Sequence, residues 1–247
     1  MLAVFRIPEA SKPIRNQRAR RRWPRAVPWL GGALLLASGA SAAGAGTIRG
    51  LLTVPGASVS PAALTPYPGQ ARSLCGMDPT PLGRVTDAVV YLEQIPAAAE
   101  STLARCPRPA RLAQLHQAFV PRVLPVAVGT TVEFPNEDPI YHNVFSVSPV
   151  KRFDLGKYPR GHSKSVLCNR TGVINVYCDI HSDMAAFIVV VPNHGYTQPD
   201  TTGAFVLEGL PAGRYTVHAW HPDLGERKCA IEVPAEGEAA VKLVYAP

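Results

Sequence analysis

The sequence predicts an all-β protein, and three observations predict it. Helical periodicity is nearly absent, short β-branched and apolar runs recur between turns, and the segment from Asp200 onward alternates in period two. The 247 residues include 25 Pro and 20 Gly, enough to punctuate many short strands. In order, 47–54 and 87–93 read as strands because each is a short run of β-branched and apolar residues. Between them 55–84 is rich in Pro, Gly and Ala and reads as loop. The stretch 96–115 reads as a short helix or an irregular crossing. Strands at 123–128 and 131–134 turn at Gly129-Thr130, and the polar turn 135–139 leads to His142 at a strand end. Strands at 163–168 and 173–177 flank the turn Asn169-Arg170-Thr171-Gly172. The uninterrupted apolar run 187–191 suits a strand buried on both faces. Beyond Asp200, 203–207 and 214–217 alternate across a Gly/Pro turn, and 227–233 and 239–244 follow as strands of a second small β-sandwich.

The chain carries a formal charge of +7, which suggests nucleic acid until the charge is located. Residues 1–42 hold eight Lys and Arg against one acid, so the remainder is neutral and nucleic-acid binding is not expected. The same leader has the shape of an export signal: Arg18, Arg20, Arg21, Arg22 and Arg25, an apolar run over 26–37, and small residues around Ala42 suited to cleavage. The run is shorter than the ~20 residues that span a bilayer, so no membrane attachment beyond this signal is expected. A periplasmic location follows. Five cysteines suit that oxidising space. If Cys178 holds metal, Cys75, Cys106, Cys168 and Cys229 remain and permit three pairings; Cys75–Cys106 with Cys168–Cys229 is the favoured one.

The chemistry is concentrated in Cys178-x-x-His181-x-x-Met184 and in His142 upstream. One thiolate, two imidazoles and one thioether select a soft, redox-active ion, and they form the donor set of a type 1 copper site with a weak axial Met. One loop delivers three donors while a distant strand supplies the fourth. Half a zinc site is the competing reading of Cys-x-x-His, but it needs a second Cys or His cluster that the sequence lacks. Asn143, beside His142, is placed to tie the two donor-bearing segments together, and His116 is a weaker candidate for a supporting contact. His162, His194, His218 and His221 match no donor position.

The segments FPNEDPIYHNVFS and VYCDIHSDM, in that order, resemble the cupredoxin family of plastocyanin-like blue copper proteins over 119–192, with the short Cys-x2-His-x2-Met spacing of its amicyanin branch. The resemblance implies a Greek-key β-sandwich, one type 1 copper ion on His142, Cys178, His181 and Met184, and a ring edge of His181 reaching solvent through an apolar patch. DTTGAFVLEGLPAGRYTVHAWHP resembles the second half of a carboxypeptidase regulatory-like domain, a small transthyretin/Ig-like sandwich, through Asp200, Gly203, Phe205, Leu207, Leu210, Pro211, Gly213 and Tyr215. The pairing is similar to bacterial plastocyanin-like proteins of the methylamine-utilisation type. The expected organisation is a signal over 1–43, a cupredoxin domain over 44–193 with its core at 116–192 and an N-terminal β extension, and the regulatory-like domain over 194–247. Two arrangements stay open: 48–53 and 88–92 complete the second sandwich, with the cupredoxin inserted between the chain ends, or 88–92 is the first cupredoxin strand.

The expected function is an exported, monomeric one-electron carrier between redox proteins, with periplasmic copper binding and delivery as the alternative. A structural adhesion or carbohydrate-binding β-protein is a further rival. His-x-His pairs for a three-copper cluster, a second cysteine in the donor loop, a Gly-x-Ser-x-Gly elbow, a P-loop and a dinucleotide fingerprint are all missing, so an enzyme is not expected.

Overall fold

The computed structural model describes residues 46–54, 84–105, 108 and 110–245. The expected signal over 1–43, nearly all of the 55–84 loop and the Cys75–Cys106 pair lie outside those residues. Within them the chain is all-β apart from one short α-helix and one 3-10 turn. In order the elements are β1 (Gly46–Thr53), β2 (Val89–Leu92), α1 (Ala97–Leu103), β3 (Ala113–Leu115), β4 (Ala118–Val120), β5 (Val123–Ala127), β6 (Thr130–Pro135), β7 (His142–Ser148) and β8 (Lys151–Tyr158). They continue as β9 (Ser163–Cys168), β10 (Gly172–Tyr177), β11 (Ala185–Val191), β12 (Tyr196–Thr197), β13 (Ala204–Leu210), β14 (Gly213–His221), β15 (Gly225–Val233) and β16 (Glu238–Val244).

The central part of the chain folds around one core. A sheet ordered β5-β11-β10-β7-β8 faces the pair β6-β9 and the hairpin β3-β4. Leu112, Phe119, Val132, Phe134, Val144, Ile174, Val176 and Ile188 fill the space between them. Alternation explains this: along β10 the side chains of Ile174 and Val176 are buried, while their neighbours are half-buried on the other face.

The two ends of the chain build a second core. β1 runs antiparallel to β13 and parallel to β16, pairing Gly50 with Phe205 and Leu52 with Leu243. β2 runs antiparallel to β14, pairing His218 with Tyr91 and Trp220 with Val89. The resulting sheets, β13-β1-β16 and β12-β2-β14-β15, enclose Ile48, Leu52, Val90, Leu92, Leu210 and Val217. The N-terminal strands therefore complete the second sandwich, and the first is inserted between them. β1 and β2 lie on one side of residue 193 and share sheets with strands on the other. Gly50 is required where it stands, because a Cβ there would fall inside the Phe205 ring.

A third apolar cluster joins the two sandwiches. Val123, Ala127, Val189 and Val191 of the first meet Val89 and Tyr196 of the second, with Tyr91, Phe187 and Trp220 packed alongside. This is why 187–191 is apolar without a break: Ala186, Ile188 and Val190 enter the first core while Phe187, Val189 and Val191 enter the junction. Arg122 adds an ion pair to Asp87 and lies over the Phe187 ring, 5.5 Å from its centroid.

Two expectations change. The favoured Cys168–Cys229 bridge does not form: both thiols are free, because Cys168 faces the first core and Cys229 packs against the second. The sequence reading also contained no strands at β3, β4 and β8, whose residues are short or half exposed.

Candidate metal centre

The site is built on two rigid supports. The first is the turn between β6 and β7. Asn136 is 1% exposed, and its amide donates to the carbonyls of Ile140 (2.8 Å) and Tyr158 (3.0 Å) while its Oδ1 accepts from the Asp138 N–H (3.0 Å). That side chain satisfies two backbone groups of the double-proline turn and ties the turn to the end of β8. The chain is thereby delivered to His142, the first residue of β7 and fully buried. The second support is the loop from Cys178, at the end of β10, to Met184, just before β11. Its ends are tied together, with the Cys178 N–H donating to the Met184 carbonyl (3.3 Å) and the Met184 N–H to the His181 carbonyl (3.1 Å).

These supports bring three donors to one place. Nδ1 of His142 lies 3.1 Å from Nδ1 of His181, and Sγ of Cys178 lies 3.9 Å from the first and 4.0 Å from the second. A triangle with sides of 3.1, 3.9 and 4.0 Å has a circumscribed radius of about 2.1 Å, inside the ~2.0–2.3 Å range of metal–imidazole and metal–thiolate bonds. The donor atoms therefore fit one ion without rearrangement. The two imidazole rings lie 4.9 Å apart between centroids with their planes inclined at 61°. Cys178 and Met184 are both buried and belong to the first core, which places the fourth expected donor at the base of the same loop. His181 is half-buried, beside the exposed Ile180.

Burial lowers the His181 pKa, the neighbouring His142 ring lowers it further, and Asp138 partly opposes both. A lowered pKa keeps the imidazole neutral, the form that binds metal.

Sequence reasoning missed Asp138. Its carboxylate Oδ2 is 2.8 Å from Nε2 of His142, while Oδ1 accepts from the His116 N–H (2.6 Å) and Oδ2 from the Gln117 N–H (2.8 Å). Burial raises the carboxyl pKa, but the Gln117 amide, the His142 ring and the His116 amide outweigh it and hold Asp138 below the ordinary carboxylate range. His116 thus supports the site through its backbone, and no sequence spacing reveals that. Asn143 is buried with its Oδ1 unpartnered, so that atom does not bridge the two segments. Of the remaining histidines, His194 is engaged with Glu100, His218 with Glu226 and His221 with the Arg84 carbonyl, and His162 is exposed.

No family model and no curated protein matches the chain. Several solved structures are similar over part of it. The Cu-containing nitrite reductase (NirK) from Thermus scotoductus SA-01 is 29% identical over 34% of this chain and 22% of its own, at a TM-score of 0.32. The novel purple cupredoxin from Nitrosopumilus maritimus is 22% identical over 33% of this chain and 98% of its own, at 0.31. Amicyanin from Paracoccus versutus is 18% identical over 36% of this chain and 87% of its own, at 0.32. The chain spans about a fifth of the length of the nitrite reductase. At these scores the likeness is partial, and what the site can do follows from its own donors.

Proposed function

We propose that this chain binds one copper ion at His142, Cys178, His181 and Met184 and carries single electrons between protein partners in the periplasm. The observation that carries this reading is the convergence of the two Nδ1 atoms and Sγ on one point. The bound ion would supply a one-electron Cu(I)/Cu(II) couple. The protein's part is to hold the donors still. β7 fixes His142, β10 fixes Cys178, and the loop's paired ends fix His181 and Met184. Burial of Cys178 excludes water from the sulfur, and the half-buried His181 is the donor nearest a docked partner. Four protein donors leave no position for a substrate, which favours a carrier over an enzyme.

The test is the optical spectrum of the copper-loaded chain beside Cys178→Ser. An intense thiolate-to-Cu(II) band, bleached reversibly by a mild reductant and lost in the variant, supports the carrier. A protein that holds only colourless Cu(I) and surrenders it to a chelator supports delivery instead.

A further inference from the structure

The two imidazoles of the site are held very differently. Among the described contacts, Nε2 of His142 is engaged by Asp138 while His181 has no carboxylate partner within hydrogen-bond distance. Asp138 is itself held from the other side. His116 and Gln117 form the two-residue turn between β3 and β4, and both have positive φ, 54° and 56°. Two successive left-handed residues make a tight hairpin turn that fits the strand twist, a conformation Gly and Asn usually supply. Here it aims two consecutive N–H groups at one carboxylate.

We propose that Asp138 is a positioning residue of the metal centre: by accepting from Nε2–H of His142, it fixes the ring tautomer that leaves the Nδ1 lone pair facing Cys178 and His181. The inference rests on the copper reading of the site. A carboxylate that already accepts two amide protons has only acceptor capacity left, so a 2.8 Å contact to Nε2 requires the proton to sit on that nitrogen. Nδ1 is then an acceptor. Its 3.1 Å contact with His181 is satisfied in the metal-free chain by an Nδ1–H on His181, which bound metal replaces. The buried donor is thus set before the ion arrives, and the half-buried donor is the one that adapts. Carboxylate partners of this kind orient a ligating ring and raise its basicity. Asn at 138 cannot reproduce the arrangement. Its NH2 group replaces one oxygen. In place of Oδ2 it takes the acceptor from the Gln117 amide and presents an N–H to Nε2, which drives the proton to Nδ1; in place of Oδ1 it leaves the His116 amide without an acceptor.

The test uses the full chain and Cu(II) with a competing chelator, together with ring 15N spectra of His142 in the metal-free protein near neutral pH. The wild-type ring is expected to carry its proton on Nε2; a ring protonated mainly on Nδ1 overturns the proposal without any variant or metal. Asp138→Asn is expected to shift the ring toward the Nδ1–H form and to weaken Cu(II) binding by about 10–100-fold. Glu137→Gln, which removes the charge of the adjacent half-buried carboxylate paired with Arg111, is expected to change neither. Wild-type tautomer and affinity in a folded Asp138→Asn chain overturn the proposal. If that variant does not fold, the wild-type ring assignment decides alone. A wild-type chain with the Nε2–H ring that takes up no copper overturns the copper reading, while Asp138's hold on His142 stands.

Discussion

Phe187 and Trp220 meet edge to face with ring centroids 5.7 Å apart, and they belong to strands of different sandwiches. The sandwich that bears the candidate metal donors therefore shares an apolar wall with the one built from the chain ends. Both rings are half-buried, so removing one costs less than the 3–5 kcal/mol of a fully buried aromatic. Trp220→Ala is expected to cost about 2 kcal/mol in urea unfolding and to leave copper affinity unchanged.

Met184 can be separated from the packing around it. Met184→Leu conserves volume in a side chain 1% exposed, so the stability cost should stay below about 1.5 kcal/mol. If Met184 is the axial donor of the proposed site, the variant loses the thioether's donation, so the reduction potential is expected to rise while the visible band persists. Voltammetry on a film of each protein measures it; an unchanged potential removes Met184 from the donor set.

His221 gives the fold an acid limit. It is fully buried; its Nε2–H donates to the Arg84 carbonyl (3.1 Å) and its Nδ1 accepts from the Asp223 N–H (3.1 Å), so the fold holds it neutral. Burial lowers its pKa from 6.5; the Arg84 carbonyl, Asp223 and Asp87 oppose this, and Arg122 adds to it. With the folded pKa depressed, the unfolded chain binds the proton first. Stability is whole above pH 6.5 and falls as pH drops through that value toward the lower folded one. Urea midpoints at pH 7.5, 6.5 and 5.5 should decline below about 6.5, and His221→Gln should flatten that decline.

Gly50 is intolerant of a methyl group. Gly50→Ala must displace the buried Phe205 ring, and a loss of about 1–3 kcal/mol is expected from urea unfolding. Phe205→Leu in the same chain should relieve part of it.

Thiol chemistry separates Cys168 from Cys229. Burial pushes the Cys168 thiol up to about 11, whereas Cys229 is half-buried on β15. Alkylation of the native chain, mapped by mass, should label Cys229 well before Cys168; mutual protection by a bond between them would contradict the structure.

The all-β class and most strands were legible because they depend on local alternation; 163–168 is a strand over those very residues. The trio His142, Cys178 and His181 was legible because a donor set is a statement about residue types and order. Asp138 was not, since its role depends on the backbone of a turn more than twenty residues away. That turn escaped notice too, because His116-Gln117 carries none of the usual signals for left-handed residues. The Cys168–Cys229 pairing failed for a related reason: counting cysteines cannot tell which of two cores each one enters.

The strand β11 has no watery side. Excised on its own, the sandwich that carries the candidate donors would expose Phe187, Val189 and Val191 as a greasy flank, an invitation to clump. Isolating that sandwich therefore requires repainting the flank with polar residues, because the half built from the chain ends is what now covers it.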